Sequence, residues 1–218
     1  MNVEKITNQK KRKYLDDFNP DIVTMDKQYQ ESLASFDAGR QYENFNDFIK
    51  HDWEEYKQGR NGVTYLVLDK TLRKDTAVAF YTLSSGAIPY IDRWYIPEDE
   101  REEADIIYDE KECGIPAIEI KMFAVSKQYQ DTYYRFEQEE KPISAWIFEQ
   151  MISSIRQLTE RAVSAKAIFL QSVPEAEAFY RKNGFDYVLP NMHTFHTIDA
   201  DLAAMYLPLT ELKIHYDS

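Results

Sequence analysis

The sequence predicts an α/β fold in which helices are layered against a sheet of mixed strand directions. Two strand-like runs joined by a short polar segment predict a hairpin in the first half of the chain, and strand-like and helix-like segments alternate in the second half. The 218 residues, of which 44% are hydrophobic, are enough for one domain with its own core. We expect a polar, frayed N-terminal extension over residues 1–34 and one α/β domain over residues 35–218.

The first elements are predicted from their periodicity. Residues 43–59 form an amphipathic helix in this prediction, because aromatic and aliphatic side chains recur at spacings of three and four. The runs 63–69 and 76–83 are β-branched and aromatic, and the polar segment KTLRK between them completes a hairpin. Residues 87–91 are expected to extend the sheet.

The acidic segment 97–112 cannot bury much apolar surface, so it is predicted to be a solvated loop or an exposed helical excursion. The alternating elements of the second half follow it. They are a long strand at 115–125, a helix at 141–163, a strand at 165–173, a short helix opened by Pro174, and two strands near 185–189 and 203–207.

Composition argues against several classes of protein. A formal net charge of −12 counts against nucleic-acid binding, and it favours either a cationic substrate or simple solubility. The single cysteine, Cys113, excludes an internal disulfide and a cysteine-rich zinc site. His193 and His196 lie three apart without an evident third ligand, so no metal is expected. Without a membrane-spanning run or a secretory signal, we expect a cytoplasmic protein.

Three stretches resemble the GNAT superfamily of acyl-CoA-dependent N-acyltransferases, in particular bacterial toxin-type acetyltransferases. SFDAGRQYENFNDFI followed by GVTYLVLD is similar to their entry helix and first hairpin. IEIKMFAVSKQYQ resembles their central strand and the start of the cofactor loop, and AEAFYRKNGF has their pattern A-x-x-F-Y-x-x-x-G-F. The resemblance implies a mixed, mostly antiparallel central sheet flanked by helices, acetyl-CoA as co-substrate, and a primary amine of a small molecule or peptide as acceptor.

The resemblance also implies where the co-substrate binds. In the family the central strand parts from its neighbour, and its backbone pairs with the pantetheine arm of CoA. A backbone N–H near Val125 would polarise the thioester carbonyl. The implied cofactor contacts are Phe123, Ala124, Val125, Gln130, Asp131, Thr132, Tyr133 and Ser172.

Two further residues have implied catalytic roles. Tyr180 takes the place of the family's acid, whose phenol protonates the departing thiolate, although core packing of Phe179 and Tyr180 at a helix end is the alternative. Glu119 would be the base that accepts a proton from the amine. Lys121 is predicted on the same face of the strand, so a surface ion pair is the alternative for Glu119.

The cofactor loop departs from the family pattern Q/R-x-x-G-x-G/A. Gln130 suits its start, but it is followed by residues with side chains, such as Asp131 and Tyr133, instead of glycines, and no glycine lies between Gly114 and Gly184. Glycines let backbone N–H groups approach a pyrophosphate closely. Two interpretations therefore stay open. The loop is remodelled with charge from Arg135 or Lys141, or the chain has lost the cofactor and binds a protein through segments 97–112 and 129–140.

The acceptor and the assembly are not predicted in detail. Nucleic acid is not expected, but the basic run from Lys10 to Lys13 leaves aminoacyl-tRNA, the acceptor of some toxin-type relatives, as a third interpretation. A protein partner and a homodimer are both compatible with the sequence.

Overall fold

The computed structural model describes residues 12–71, 75–100, 108–137, 139–190, 192 and 202–212. The strands in these ranges are β1 (Lys13–Tyr14), β2 (Pro20–Thr24), β3 (Val63–Asp69), β4 (Thr76–Tyr95), β5 (Tyr108–Val125), β6 (Thr132–Phe136), β7 (Glu139–Pro142), β8 (Ala167–Ser172), β9 (Asp186–Tyr187) and β10 (Ala203–Pro208). The helices are α1 (Glu43–Asp47), α2 (Trp53–Gln58), α3 (Ile143–Arg161) and α4 (Pro174–Lys182), with 3-10 helices at Lys27–Leu33, Arg40–Tyr42 and Glu98–Glu100.

These strands form two sheets. The larger has the order β2-β3-β4-β5-β8-β10-β9, and the smaller has the order β1-β6-β7. In the larger sheet β5 and β8 are parallel, whereas β2–β3, β8–β10 and β10–β9 are antiparallel. This mixed, mostly antiparallel sheet with accompanying helices confirms the predicted fold class. None of the described helices has the length and apolar character needed to cross a membrane.

The chain divides into two units, and the division falls within α2, β3, β4, β5 and α3. One unit comprises Met1–Tyr56, Thr64–Phe80 and Phe123–Ile152, and the other comprises Lys57–Val63, Tyr81–Met122 and Ser153–Ser218. They are called the first and second unit below.

In the first unit, the N-terminal segment contributes a strand rather than a frayed tail. β2 pairs antiparallel with β3 over its full length. Apolar side chains on either side of β2 are almost completely buried, and this burial holds the segment in the fold. They are Phe18, Met25 and Leu33. The expectation of a frayed extension is therefore corrected for residues 18–33, while a domain boundary after residue 34 stays a prediction.

The helix predicted at 43–59 is present but is not uniformly α-helical. α1 passes into a π-helical turn, Phe48–Asp52, before α2 begins. Phe48 stacks on Phe80 of β4 with ring centroids 5.9 Å apart, and Phe36 meets the same ring edge-on at 5.5 Å. These aromatic contacts anchor the helix on the sheet of this unit.

The inserted segment before α3 folds as a hairpin. β6 and β7 pair antiparallel, and β1 adds to β6 in parallel. Successive side chains of the strand sequence TYYRF alternate, so Tyr134 and Phe136 lie on one face. Phe136 stacks on Trp146 of α3 with ring centroids 5.0 Å apart, and Phe18 packs edge-on against Tyr134 at 5.8 Å. The insertion is therefore a packed element of the first unit.

In the second unit, β8 is the central strand. It pairs in parallel with β5 from Ala117 opposite Ala167 to Ile120 opposite Leu170, and antiparallel with β10 on its other edge. A cluster of buried apolar side chains covers one face of these strands. It contains Ile88, Ile115, Ala117, Ala167, Phe169 and Met192.

The predicted hairpin and strand extension are present as β3 and β4, and β4 continues through 87–91 to Tyr95. The acidic segment 97–112 is corrected in part. β5 begins at Tyr108, and residues 101–107 lie outside the described ranges. An ion pair between Arg93 and Glu110 and an edge-on contact of Tyr95 with Tyr108 join β4 to β5, so charge pairing compensates for the low apolar content.

The short helix opened by Pro174 is confirmed as α4. Its end is defined by Gly184, which has φ +88° and whose N–H donates to the carbonyl of Arg181 at 3.1 Å. Asn183 caps the helix through its side chain, which donates to the carbonyl of Phe179 at 2.8 Å. The chain then enters β9.

Candidate active site

The predicted site residues divide between the two units. Glu119, Ser172 and Tyr180 belong to the second unit. The implied cofactor residues of the first unit are Phe123, Ala124, Val125, Gln130, Asp131, Thr132 and Tyr133. The geometry of each group is described within its own unit.

The ladder between β5 and β8 ends before either strand ends. The last paired residues are Ile120 and Leu170, although β5 continues to Val125 and β8 to Ser172. A parallel pair that continued in register would carry this ladder to the last residue of β8. The ladder with β8 therefore ends before Phe123, the first residue of the stretch for which the resemblance implies a parted strand.

Hydrogen bonds in the first unit show which edge of β5 Val125 uses. Ser126 N–H donates to the carbonyl of Val78 in β4 at 2.7 Å. Because successive residues of a strand direct their N–H and C=O groups to opposite edges, those of Val125 point away from β4. The carbonyl of Val125 accepts instead from the side-chain amide of Gln130 at 2.9 Å. This edge is suited to the amides of a pantetheine arm, which would add to it like a strand.

The side chains of this stretch face the protein interior. Ala124 and Val125 are both buried. Phe123 packs edge-on against Phe148 of α3 with ring centroids 5.4 Å apart. A ligand along this stretch would therefore meet main chain, as the resemblance implies.

The turn after β5 has its backbone N–H groups tied to other parts of the first unit. Beyond the bond from Ser126 to β4, Lys127 N–H donates to the carbonyl of Asp37 at 2.7 Å. The side chain of Gln130 also lies 3.4 Å from the carbonyl of Ala38. Sequence analysis did not single out Asp37 or Ala38 as neighbours of this turn, because no local signal indicates a contact across about 90 residues.

The rest of the turn is closed on itself. Tyr129 N–H and Gln130 N–H both donate to the carbonyl of Ser126, at 2.8 and 3.2 Å, and Thr132 N–H donates to the carbonyl of Tyr129 at 3.3 Å. Tyr129 is buried, and this burial, followed by the negative charge of Asp69, raises the pKa of its phenol. The turn is thus held by five backbone donors and an inserted ring.

Asp131 and Thr132 complete this closure. Asp131 has φ +57°, the left-handed conformation that glycine adopts most easily, so a glycine-like backbone occurs here with a carboxylate attached. Thr132 is completely buried, and its hydroxyl lies 3.2 Å from the carbonyl of Gln128 and 3.4 Å from that of Gln130. A pyrophosphate needs several backbone N–H groups directed towards it. Since five of the seven N–H groups from Ser126 to Thr132 already donate to protein carbonyls, the turn fits that group poorly.

Glu119 forms an ion pair with Lys121, as the alternative from the sequence had it. The carboxylate lies 2.6 Å from Lys121 Nζ, but the pair is not on the surface, since the Glu119 side chain is 10% exposed and that of Lys121 27%. Gly86 of β4 lies beside it and lets the ring of Phe169 approach closely, because a Cβ at residue 86 would lie 2.9 Å from that ring. Glu119 is therefore a mostly buried, paired carboxylate.

Tyr180 occupies the last turn of α4 and is 8% exposed. Its ring contacts Phe179 at 5.4 Å and Phe185 at 5.9 Å, so the packing alternative is present in the structure. Ser172 is 1% exposed, and its hydroxyl donates to the carbonyl of Val173 at 2.8 Å. The catalytic role of Tyr180 and the cofactor role of Ser172 stay predictions.

No group of three metal-ligating side chains occurs in the part of the chain that the structure describes. His193 and His196 lie outside it.

The fold is shared with several solved structures. Matching solved structures include a Tyr-to-Phe mutant of KacT, with a TM-score of 0.57, 16% identity, and coverage of 87% of this chain and 94% of that chain. AtaTR bound with AcCoA has a TM-score of 0.59 at 19% identity and coverage of 89% and 95%. AtaT complexed with acetyl-methionyl-tRNAfMet has a TM-score of 0.57 at 15% identity, and the match covers 87% of this chain and 95% of that chain. No protein-family model and no curated protein matches. At these identities the similarity shows the fold alone.

Proposed function

We propose that the protein is an acyl-CoA-dependent N-acetyltransferase that acetylates a primary amine. The observation that carries the proposal is the end of the β5–β8 ladder at Ile120 and Leu170, followed by a strand edge on which the carbonyl of Val125 accepts from the side chain of Gln130 rather than from a neighbouring strand. A pantetheine arm contains two amides, and these can pair with such an edge as an added strand would. The fold shared with AtaTR, which has been solved with AcCoA, supports the same assignment.

The proposed reaction is direct transfer. The amine nitrogen attacks the thioester carbonyl, the new C–N bond forms and the C–S bond breaks, the amine loses a proton, and the departing thiolate takes one up. Holding the two reactants together contributes most of the rate in this scheme. The N–H of Val125 donates towards the carbonyl oxygen as charge develops there.

Tyr180 is the proposed acid, because a phenol keeps its proton at neutral pH and can pass it to a thiolate. Its nearly buried position gives it a fixed ring orientation, held by Phe179 and Phe185. Glu119 is the proposed base. Since its carboxylate is paired with Lys121 at 2.6 Å, this role requires the carboxylate to exchange the lysine for the acceptor amine.

Titration of the purified protein with acetyl-CoA in a calorimeter tests the proposal, with thermal unfolding as a second readout. We expect heat of binding and a higher melting temperature, since a ligand that binds the folded state stabilises it. Absence of both at millimolar acetyl-CoA would remove the proposed function. Once binding is established, a panel of amines with mass detection of acetylated products identifies the acceptor class.

A second candidate is a protein-binding module that no longer binds acetyl-CoA. The turn at residues 126–132 favours it, because five of its backbone N–H groups already donate to carbonyls of the protein. Mass spectrometry of the native protein distinguishes the candidates. Co-purifying CoA supports the enzyme, whereas a stoichiometric protein partner without CoA supports the module.

Aminoacyl-tRNA is the acceptor suggested by AtaT, which has been solved in complex with acetyl-methionyl-tRNAfMet. Its α-amine is a primary amine, so the chemistry is the same. The net charge of −12 opposes RNA binding, whereas the basic run Lys10–Lys13 favours it. Growth arrest on expression without an antitoxin, together with acetylated aminoacyl-tRNA in the cells, is the expected result for this acceptor. The cytoplasmic location, the bacterial source and the homodimer stay predictions.

A further inference from the structure

The end of β5 and the turn after it differ in the backbone hydrogen-bonding groups that a ligand can use. This difference bears on which part of the acyl donor is bound. Five backbone N–H groups from Ser126 to Thr132 donate to protein carbonyls. A phosphate oxygen would have to replace those carbonyls one by one. Such an exchange of one hydrogen bond for another yields little net binding. These five N–H groups therefore contribute little to binding the pyrophosphate of CoA.

Cations near the start of α3 do not make up for this. Lys141 Nζ lies 2.5 Å from the carboxylate of Glu149 and 3.2 Å from that of Glu139, and these contacts, Glu149 first, raise the pKa of Lys141. Arg12 likewise lies 3.5 Å from Glu140. Each cation is matched by at least one carboxylate, so a pyrophosphate placed here would meet balanced charge.

A groove of about 580 Å³ lies beside the β6–β7 hairpin and the first turns of α3. Its charged lining consists of Arg135 and Lys141 with Glu137 and Glu139. Two cations and two carboxylates leave no net positive charge, and Glu139 already contacts Lys141. This groove is therefore no substitute for a phosphate-binding loop.

Two lysines stand at the turn itself. Lys13 Nζ donates to the carbonyl of Gln128 at 2.8 Å, which fixes the lysine to the turn. Lys127 is exposed, and its charge contributes to the lowered pKa of Asp37, after the hydrogen bonds of that carboxylate to Gly39 and Asn46. Exposed charges attract anions weakly in water and are screened by salt.

We infer that the protein recognises its acyl donor through the acyl-pantetheine arm, and that the pyrophosphate and adenosine half of CoA adds no specific binding. The inference rests on the proposed function and names its donor class, a thioester whose acyl group is carried on a pantetheine arm. The edge of β5 at Val125 pairs with the arm, which has to displace only the side-chain amide of Gln130 from the carbonyl of Val125. The occupied N–H groups of the turn add little binding to the rest of the donor. In the transfer reaction the amine attacks the thioester carbonyl, the C–N bond forms and the C–S bond breaks. The sulfur of the pantetheine arm takes up a proton and leaves as the thiol.

The test compares four probes on the full chain, by calorimetry and by saturation-transfer NMR for weak binding. They are acetyl-CoA, acetyl-dephospho-CoA, acetyl-4′-phosphopantetheine and acetyl-pantetheine. We expect their dissociation constants to agree within about tenfold, because the probes share the arm that binds. A dissociation constant for acetyl-CoA more than tenfold below that of acetyl-pantetheine would overturn the inference and leave the proposed function standing. Absence of binding by all four would overturn both.

Lys127→Ala provides a second measurement. It removes the exposed cation of the turn, whose backbone bond to Asp37 does not depend on the side chain. We expect the ratio of the affinities for acetyl-CoA and acetyl-pantetheine to stay unchanged. A fall confined to acetyl-CoA would show that the turn does contact the nucleotide half, and it would overturn the inference.

Discussion

Two stretches of β5 have their backbone hydrogen-bonding groups satisfied in different ways. They are called the paired half (residues 117–120) and the open half (residues 121–125) below. From Ala117 to Ile120 the strand is paired with β8, and the side chains of Ile118 and Ile120 are buried. After Ile120 that ladder stops, and the carbonyl of Val125 is capped by the side chain of Gln130 instead. The first half resembles any core strand, whereas the second keeps a strand edge for which a ligand can compete. The position at which a strand stops pairing is therefore more informative about ligand binding than the positions at which it pairs.

The largest expected effect concerns the proposed acid, Tyr180. Tyr180→Phe removes the proposed acid, so we expect acetyl transfer to fall by about 10²–10⁴-fold. Binding of acetyl-CoA should be unchanged, because the ring and its contacts with Phe179 and Phe185 are kept. Thiol release with an accepted amine measures the first effect and calorimetry the second.

Tyr187→Phe is the matched control for this variant. Tyr187 lies in the same unit, is exposed, and donates its hydroxyl to Glu177. Its replacement by phenylalanine therefore removes a tyrosine hydroxyl but leaves the proposed acid in place. We expect ordinary turnover. Equal activity of both variants would assign protonation of the thiolate to another group.

The next effect concerns the N–H of Val125. Val125→Pro removes the N–H on the edge away from β4, so the hydrogen bond from Ser126 to Val78 is kept. Loss of one donor to a reacting carbonyl lowers the rate by about 10²–10³-fold. Thiol release measures it, and thermal unfolding shows whether the proline is accommodated.

Val125→Ala keeps the N–H and serves as the control for the lost side chain. If the proline variant folds and transfers acetyl groups as fast as the alanine variant, the open half of β5 is not where the thioester reacts.

Much of this comparison was predictable from the sequence, because it depends on local periodicity. The apolar residues of 115–125 predicted the second part of β5, and Pro174 predicted the start of α4. A parted strand at Phe123–Val125 was implied by the resemblance and stays a prediction, while the ladder with β8 ends at Ile120.

The remainder depends on contacts between distant parts of the chain. The closure of the turn requires the carbonyls of Asp37 and Val78, which no sequence pattern connects with residues 126–127. Strand formation at residues 108–112 depends on cross-strand pairs such as Arg93 with Glu110, and these outweigh the low apolar content of the segment. Such tertiary contacts are not contained in local propensity.

A smaller effect tests the paired half of β5. In Gly86→Ala the new Cβ would lie 2.9 Å from the ring of Phe169, so the ring must shift. We expect the variant to be less stable by about 1–3 kcal/mol, as is typical of overpacking. Chemical denaturation followed by tryptophan fluorescence measures the free energy of unfolding.

Gly114→Ala is the matched control, because its new Cβ would lie at an ordinary 3.6 Å from Ala87. We expect little loss of stability. If the two variants were equally stable, the close approach of Phe169 to β4 would not contribute to the packing of this half.

The smallest effect concerns the turn that follows the open half. Thr132→Val keeps the shape of a buried side chain but removes the hydroxyl near the carbonyls of Gln128 and Gln130. Loss of that donor should lower the free energy of unfolding by about 1 kcal/mol, and Thr132→Ser, which keeps the hydroxyl, should lose less of the hydrogen-bond contribution. The more informative readout is binding. If closure is what excludes the nucleotide half of CoA, loosening the turn should raise the affinity for acetyl-CoA relative to acetyl-pantetheine. A variant that is destabilised as expected but shows the same ratio would mean that the balanced charges around Lys141, rather than the hydrogen bonds of the turn, determine which part of the donor is bound.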